Sequence, residues 1–286
     1  MIGATRFRMT AEINRQTKLA SDISRSLTDI SSETRLRAAS DDPGASARVA
    51  DIRRKQANET AWATNADTAA AVATSADTTL KLVSTGLDRA RELVLAGASA
   101  GASASDRASY AAELRGIVED FAGFAKQTDS RGLAIFPEEP PLDIPVGNAL
   151  ALPATVSRAE AFGGVPVAGG GTTDLASILN AAAAAMTLPD ADARKAALTA
   201  SVGVIETATS RVADVRAQQG RRAAQFDTVR DQLASSSVDL QEERGALEGT
   251  DIPATVAKLK AKMLTLEAAQ AAFAQINKQT LFDVLG

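Results

Sequence analysis

The chain has no cysteine and no histidine, and only 3% of its 286 residues are aromatic. Without cysteine no disulfide forms, and without histidine the commonest metal ligand and general base is missing. The densest carboxylates are Asp41-Asp42 and Glu242-Glu243, and a metal or acid–base site would need further partners that converge on them in a pocket. A compact enzyme of this length would also use more aromatic bulk in its core. We therefore expect no enzyme, no cofactor and no metal site.

Long apolar runs and an excess of one charge are also lacking. No apolar run approaches the roughly 20 residues that a membrane-spanning helix needs, so we expect no membrane insertion. The first 24 residues have no apolar segment typical of a cleaved signal peptide. The 31 Lys and Arg residues and 35 Asp and Glu residues are interspersed and give a net charge of −4. Such a mixture offers no basic surface for nucleic acid.

What the chain has is alanine and a heptad pattern at both ends. Hydrophobic residues make up 45% of the sequence, and alanine, which favours helix but buries little surface, dominates them. At each end, candidate contact residues recur in alternating steps of three and four. Near the start they are Met9, Ile13, Gln16, Ala20, Ile23, Leu27 and Ile30; near the finish they are Ile252, Val256, Leu259, Met263, Leu266, Gln270, Phe273 and Asn277. These stripes predict that the two ends pair with each other.

Helical patterns also fill most of the chain between the ends. They predict helices over 5–35, from Pro43 to about residue 96, around 110–124, over 174–186 and from 190 to about 249, followed by the last helix. Ser40 or Asp42 is expected to cap the helix that starts at Pro43, and Thr250-Asp251 to cap the last helix. The fold class predicted is mainly α: a long antiparallel helical hairpin or coiled-coil bundle.

The middle of the chain differs in composition. Residues 130–174 hold six of the nine prolines and five glycines in two clusters, so helix is very unlikely there. The apolar runs 142–146 and 150–156 predict strands of a small β element, with an irregular loop as the alternative. The hairpin is therefore expected to carry a small β-containing insertion.

These patterns divide the chain into three nested parts. A terminal coiled-coil domain takes residues 1–40 and 250–286, a helical rod takes 41–129 and 175–249, and a small Pro/Gly-rich domain or loop takes 130–174. A two-helix seam buries each side chain only partly, so we expect the terminal domain to be disordered in an isolated monomer. It is expected to become ordered when neighbouring copies cover it, as in a tube. Polar seam positions fit this interpretation because they fix register at a cost in stability.

Four segments carry a resemblance to a known family. Residues 35–47 (RLRAASDDPGASA), 213–220 (ADVRAQQG), 240–251 (LQEERGALEGTD) and the ending 279–285 (QTLFDVL) resemble signature segments of the bacterial flagellin family. That family includes filament flagellins and the proteins that join hook to filament, and the ending is more similar to the junction type. The opening residues and Ala224-Gln225, where the family has Asn, depart from the pattern.

The resemblance implies a structural subunit of the bacterial flagellum, at the hook–filament junction or in the filament. It implies an extracellular location, with export through the flagellar type III apparatus without a cleaved signal peptide, and an export chaperone on the C-terminal helix. Its partners would be copies of itself and other axial proteins, namely a hook-associated protein and flagellin. The ends would form an inner tube and the rod an outer tube.

Two further groups of residues follow from the resemblance. Rod contacts between subunits are expected at Asp41, Asp42, Pro43, Arg53 and Arg54. Another stretch resembles the part of flagellin that an animal Toll-like receptor recognises; its residues are Arg89, Arg91, Glu92 and Leu93. A solvated helix face is the favoured interpretation of this stretch.

Two other classes of protein remain open from the sequence. A chemoreceptor-type helical hairpin would share the alanine and heptads but should keep its tip helical, which the Pro/Gly-rich middle disfavours. A flagellin-like surface protein binding polysaccharide or host molecules through residues 130–174 is the alternative function. Few aromatic side chains lie near that segment to stack on sugars.

Overall fold

The computed structural model describes the backbone of residues 2–167 and 169–285, and the side chains of residues 7, 9–167 and 169–275. Its elements in chain order are α1 (Ile2–Ser32), α2 (Pro43–Ala98), α3 (Ala104–Ala125), β1 (Asp143–Gly147), β2 (Leu150–Pro153), α4 (Arg158–Phe162), β3 (Val165–Pro166), β4 (Thr172–Thr173), α5 (Leu175–Met186), α6 (Ala191–Glu248) and α7 (Ile252–Leu285). The predicted fold class, mainly α with small β elements in the middle, is confirmed.

The chain forms two compact units. The first, called here the terminal unit, comprises residues 1–57 and 237–286; the second, the middle unit, comprises residues 58–236. Residues 130–174 fall inside the middle unit. The three-part division drawn from the sequence stays a prediction.

Two helices of the structure begin at the residues that the capping signals indicated. The Asp42 carboxylate accepts a hydrogen bond from the backbone N–H of Ala45 at 3.0 Å, and α2 starts at Pro43. In the same way, Asp251 accepts from the N–H of Ala254 at 3.0 Å at the start of α7. Each side chain satisfies one of the N–H groups that a helix start leaves without an intrahelical partner.

In the middle unit, α2 and α6 lie antiparallel. Ion pairs join Asp67 to Arg230 at 2.6 Å and Arg91 to Glu206 at 2.9 Å. Residue numbers therefore rise along α2 while those of the partners on α6 fall. Helices α3 and α5 pack against each other beside them. The largest fully buried apolar side chains of this unit come from all four helices and from the segment after α3: Leu80, Leu87, Leu93, Leu114, Phe136, Leu175, Leu179, Met186, Leu198, Ile205 and Phe226.

Gly86 marks a close approach of α2 to α3, and its replacement is expected to destabilise the middle unit. A Cβ there would lie 2.7 Å from Cε1 of Phe121, whose ring is buried. We expect Gly86→Ala to lower the free energy of unfolding by about 1–3 kcal/mol, since overpacking outweighs the gain in helix propensity. Gly116→Ala on α3, where a Cβ would meet nothing, should instead be neutral or stabilising. Urea unfolding compares the two variants, and equal effects would contradict the packing argument.

The middle segment folds as a β-hairpin on the helices. Strands β1 and β2 pair antiparallel, with Ile144 opposite Leu152 and a register shift between Pro145 and Gly147. Val146 on this hairpin is buried in a small core with alanines of α2 and with two side chains of α6, Phe226 and Val229. The strands predicted at 142–146 and 150–156 therefore exist, while β3 and β4 add a second, two-residue ladder that no pattern indicated.

One prediction for this segment is wrong. Residues 158–162 form the short helix α4, although proline and glycine made helix very unlikely over 130–174. A capping box explains it: the Ser157 hydroxyl accepts from the N–H of Glu160, and the Glu160 carboxylate accepts from the N–H of Ser157. Ala161 and Phe162 are buried, and the Phe162 ring meets Phe136 edge-on at 5.3 Å.

Candidate functional site

The terminal helices pack against each other, but along a stripe that differs from the predicted one. Helix α1 contacts α7, and Lys262 Nζ lies 3.6 Å from Asp22 of α1. On α1 the least exposed positions step 3, 4, 3, 4 along one side: Gln16, Leu19, Ile23, Ser26 and Ile30. On α7 they are Thr255, Leu259, Lys262, Leu266, Ala269 and Phe273. We call these two sets the paired stripes.

Only part of the predicted heptads belongs to the paired stripes. Three predicted positions on each helix are included, namely Gln16, Ile23 and Ile30 on α1, and Leu259, Leu266 and Phe273 on α7. Ser26 and Lys262 take part although they are polar, so hydrophobicity gave no signal for them. The Asn277 side chain lies outside the described residues.

The other predicted positions form a second apolar surface that stays open. Leu27, for example, is 51% exposed and Met263 45%. Val256 is half-buried. The predicted positions that are exposed, among those whose side chains the structure describes, are Met9, Ile13, Ala20, Leu27, Ile252, Met263 and Gln270. We call the exposed predicted positions the open stripes of α1 and α7. Two other apolar side chains are more exposed still, Phe7 at 78% and Leu264 at 68%, but the turn of the helix places them on other sides of α1 and α7. Apolar side chains exposed along one side of a helix are candidates for an interaction surface.

Hydrogen bonds also join the two segments that connect the terminal helices to the rest of the chain. The N–H of Arg35 donates to Glu248 O at 2.8 Å, and the N–H of Thr250 donates to Glu33 O at 2.9 Å. Thr34 and Gly249 form an antiparallel bridge between them. We call residues 33–36 and 248–250 the paired connector. It fixes the start of α7 beside the end of α1, and sequence patterns gave no sign of it.

The Asp-Asp-Pro segment is anchored within the chain. Asp41 accepts hydrogen bonds from the N–H groups of Ala38 and Arg37, at 3.0 and 3.1 Å, and pairs with Arg25 of α1. The Ala38 N–H, then that of Arg37, and then the Arg25 guanidinium lower the pKa of Asp41 below its usual value. Arg37 in turn reaches Asp29 of α1 at 2.5 Å. Together these bonds fasten the turn before α2 to α1.

The charged residues among the remaining predicted rod contacts also have partners in their own unit. The Ala45 N–H, followed by the Arg35 guanidinium, lowers the pKa of Asp42. Arg53 pairs with Glu248 at 2.6 Å, and Arg54 pairs with Asp51 on its own helix. Pro43 is exposed at the first position of α2. A role of these residues between subunits stays a prediction.

Acid is expected to loosen the terminal unit through Asp41. Its carboxyl has a lower pKa in the folded chain than its ordinary value of 3.8, so its contribution is complete above that value and is lost as pH falls through the folded pKa. The slope of unfolding free energy between about pH 4 and 2 should therefore be smaller in Asp41→Asn. Urea titrations at several pH values measure it, with the exposed α7 residue Glu267 as the Glu267→Gln control. Equal slopes in wild type and Asp41→Asn would refute this assignment.

The receptor-like stretch is built into the middle unit. Arg89 binds Glu113 of α3 at 2.7 Å and Glu92 at 3.1 Å, and the Glu113 carboxylate is the main cause of its raised pKa. Arg91 pairs with Glu206 of α6, and Leu93 is buried in the core. Recognition of this stretch by a receptor stays a prediction.

One polar group that sequence reasoning overlooked fixes the hairpin to α6. Gln219, inside the ADVRAQQG segment, is fully buried, and its amide donates to Ala154 O at 2.8 Å. Arg222, one turn further on, donates to Thr155 O. The segment that resembled a family signature therefore holds the end of β2 in place. Within the described residues no group of three or more acidic, His or Cys side chains is placed to hold a metal ion, and no helix there has the length and apolar character for a membrane span.

Comparison with family models identifies the chain. The model of the bacterial flagellin N-terminal helical region matches residues 8–139, and that of the bacterial flagellin C-terminal helical region matches residues 202–285. The two regions together take in most of the sequence, and the chain belongs to the bacterial flagellin family. It is a structural subunit of the bacterial flagellum. The comparison with curated protein sequences gives no match.

Solved structures with the same fold include proteins of three bacteria. A protein of Vibrio parahaemolyticus described as a flagellar hook-associated protein is 18% identical, with a TM-score of 0.65 over 73% of this chain and 100% of its own. The flagellar hook-associated protein 3 of Legionella pneumophila is 12% identical, with a TM-score of 0.60 over 73% and 98%. FlgL of Xanthomonas campestris is 15% identical, with a TM-score of 0.58 over 68% and 99%. At these identities the likeness concerns the fold.

Proposed function

We propose that the chain acts at the hook–filament junction and assembles there through the open stripes of α1 and α7. The observation that carries this proposal is that the two helices already pair along one side, yet keep a second apolar side in water. Fully burying a large apolar side chain contributes roughly 1.5–3 kcal/mol. In the wall of a tube, contact with a neighbouring copy would bury the side chains of the open stripes.

The terminal helices are predicted to become ordered only when copies assemble, and their open stripes favour this prediction. The paired stripes contain Ser26, Thr255 and Lys262, so the α1/α7 contact buries little apolar surface by itself. Most helical stability in proteins comes from packing of an apolar face. The terminal helices should therefore be protease-sensitive in the monomer and protected in the assembled state.

The junction position, rather than the bulk filament, is supported by two of the fold neighbours, which are described as flagellar hook-associated proteins. In the flagellum the chain would contact a hook-associated protein on one side and flagellin on the other. We propose an extracellular position, reached through the flagellar type III apparatus. An export chaperone would hold the open stripe of α7, since an amphipathic helix with exposed Ile252 and Met263 on one side suits binding in an apolar groove.

Electron microscopy of the purified chain under salting-out conditions tests this function. A junction subunit is expected to form short assemblies. Long filaments would contradict the junction position and indicate a filament flagellin. The failure of wild-type protein to assemble at any concentration would contradict assembly through the open stripes.

A further inference from the structure

The open stripes contain two of the four methionines of the chain. Met9 is 44% exposed and Met263 is 45% exposed, so water and small solutes reach both thioethers in a free copy. A third methionine, Met186 in the middle unit, is 1% exposed, and its Sγ packs so closely against Gly97 of α2 that a Cβ there would have no room. The structure thus separates two accessible thioethers from a covered one.

An exposed thioether reacts with a peroxide without help from the protein. A sulfur lone pair of methionine attacks one oxygen of hydrogen peroxide, the O–O bond breaks, and a proton shift yields the sulfoxide and one molecule of water. The sulfur gives up two electrons, and the peroxide takes up both. Because the chain has no cysteine, no thiolate in it competes for the oxidant. We therefore expect Met9 and Met263 to react before Met186.

Oxidation changes the character of the open stripes at both positions. The sulfoxide is polar, and its oxygen accepts hydrogen bonds that water supplies in a free copy. The next position of the stripe on α1 is Ile13, and the predicted position one heptad before Met263 on α7 is Val256; neither side chain has a donor. Contact with a neighbouring copy would remove the water, and an acceptor buried without a donor weakens the contact.

We propose that Met9 and Met263 are oxidation sites through which a peroxide blocks the assembly of free copies. A sulfoxide at either position weakens the contact through the open stripes, and a methionine sulfoxide reductase reverses the block. In that reduction two thiols form a disulfide, and the sulfoxide oxygen leaves as water. Assembled copies bury both thioethers and resist the oxidant. This inference rests on the proposed function, because it requires that assembly buries the open stripes.

Peptide mass spectrometry after mild treatment with hydrogen peroxide tests the sites themselves. In free copies, Met9 and Met263 should gain one oxygen about ten times faster than Met186 or more, because of their exposure. In assembled protein both should gain it about ten times more slowly than in free copies. Oxidation of Met186 at the rate of the other two, or equal rates in free and assembled protein, would overturn the inference.

Sedimentation of treated and untreated protein tests the effect on assembly. Two sulfoxides should raise the critical concentration about tenfold or more, and a methionine sulfoxide reductase with dithiothreitol should reverse this rise. Met9→Leu with Met263→Leu keeps apolar side chains that peroxide does not oxidise, so treatment should change its own critical concentration less than about twofold. Met186→Leu is the matched control and should remain as sensitive to peroxide as wild type.

A polar substitution reproduces the block without an oxidant. Met9→Gln with Met263→Gln places polar groups at both positions and should raise the critical concentration of untreated protein about tenfold or more. Wild type that carries both sulfoxides and assembles at its untreated concentration would overturn this inference and leave the proposed function intact. So would a double leucine variant that is as sensitive to peroxide as wild type. If untreated wild type forms no assembly at any concentration, the proposed function fails and this inference fails with it.

Discussion

Replacing Met9, Ile13 and Leu27 with serine is expected to abolish assembly and leave the chain folded. All three side chains lie on the open stripe of α1 and are 44–51% exposed, so the substitutions should affect the fold of the monomer less than its assembly. Partial burial of three such side chains amounts to several kcal/mol, which corresponds to about a thousandfold in association. Sedimentation velocity across a concentration series should show only monomer at concentrations where wild type assembles.

The control for this variant lies on the same helix. Asn14→Ser with Lys18→Ser changes two exposed polar positions of α1 and should leave assembly within about twofold of wild type. Circular dichroism of the monomers should be alike in all three proteins. Assembly of the triple serine variant at wild-type concentrations would show that the open stripe of α1 is not the contact surface.

The heptads predicted the pairing of the ends but not which side of each helix makes it. A 3.5-residue period indicates a stripe, and both the paired and the open positions satisfy it. In the structure the contact lies further round α1 than predicted, and it contains Leu19 and Ser26 in place of the predicted Ala20 and Leu27. Two paired helices that also contact other copies need apolar residues on two surfaces, one for the pair and one for the neighbouring copy. The sequence of one chain does not show which apolar residues belong to which surface.

Helix starts were predictable for a different reason. Asp42 before Pro43 and Asp251 before Ile252 act on the backbone within one turn, so local sequence determines them. The paired connector and the buried amide of Gln219 depend on backbone groups far away along the chain. Backbone groups are the same in every residue, and they leave no pattern in the sequence to read.

Gly249→Ala is expected to open the paired connector. A Cβ at this position would lie 2.6 Å from the backbone oxygen of Gly245, and that oxygen is held in the last turn of α6 by the Gly249 N–H at 2.7 Å. Because a backbone atom rather than a flexible side chain is in the way, either this turn or the Thr34–Gly249 bridge has to move. We expect a loss of about 1–3 kcal/mol in the free energy of unfolding of the terminal unit.

Hydrogen exchange locates that loss. The amides of Arg35 and Thr250, which donate across the connector, should exchange faster in Gly249→Ala, while the amides of the middle unit keep their rates. Gly245→Ala is the matched control, since a Cβ there meets nothing within 4 Å and alanine favours helix by about 1 kcal/mol. A connector that loosens also frees the start of α7, so this variant should assemble less well although it changes no residue of the open stripes. Unchanged exchange at both amides would mean that the connector does not depend on glycine at this position.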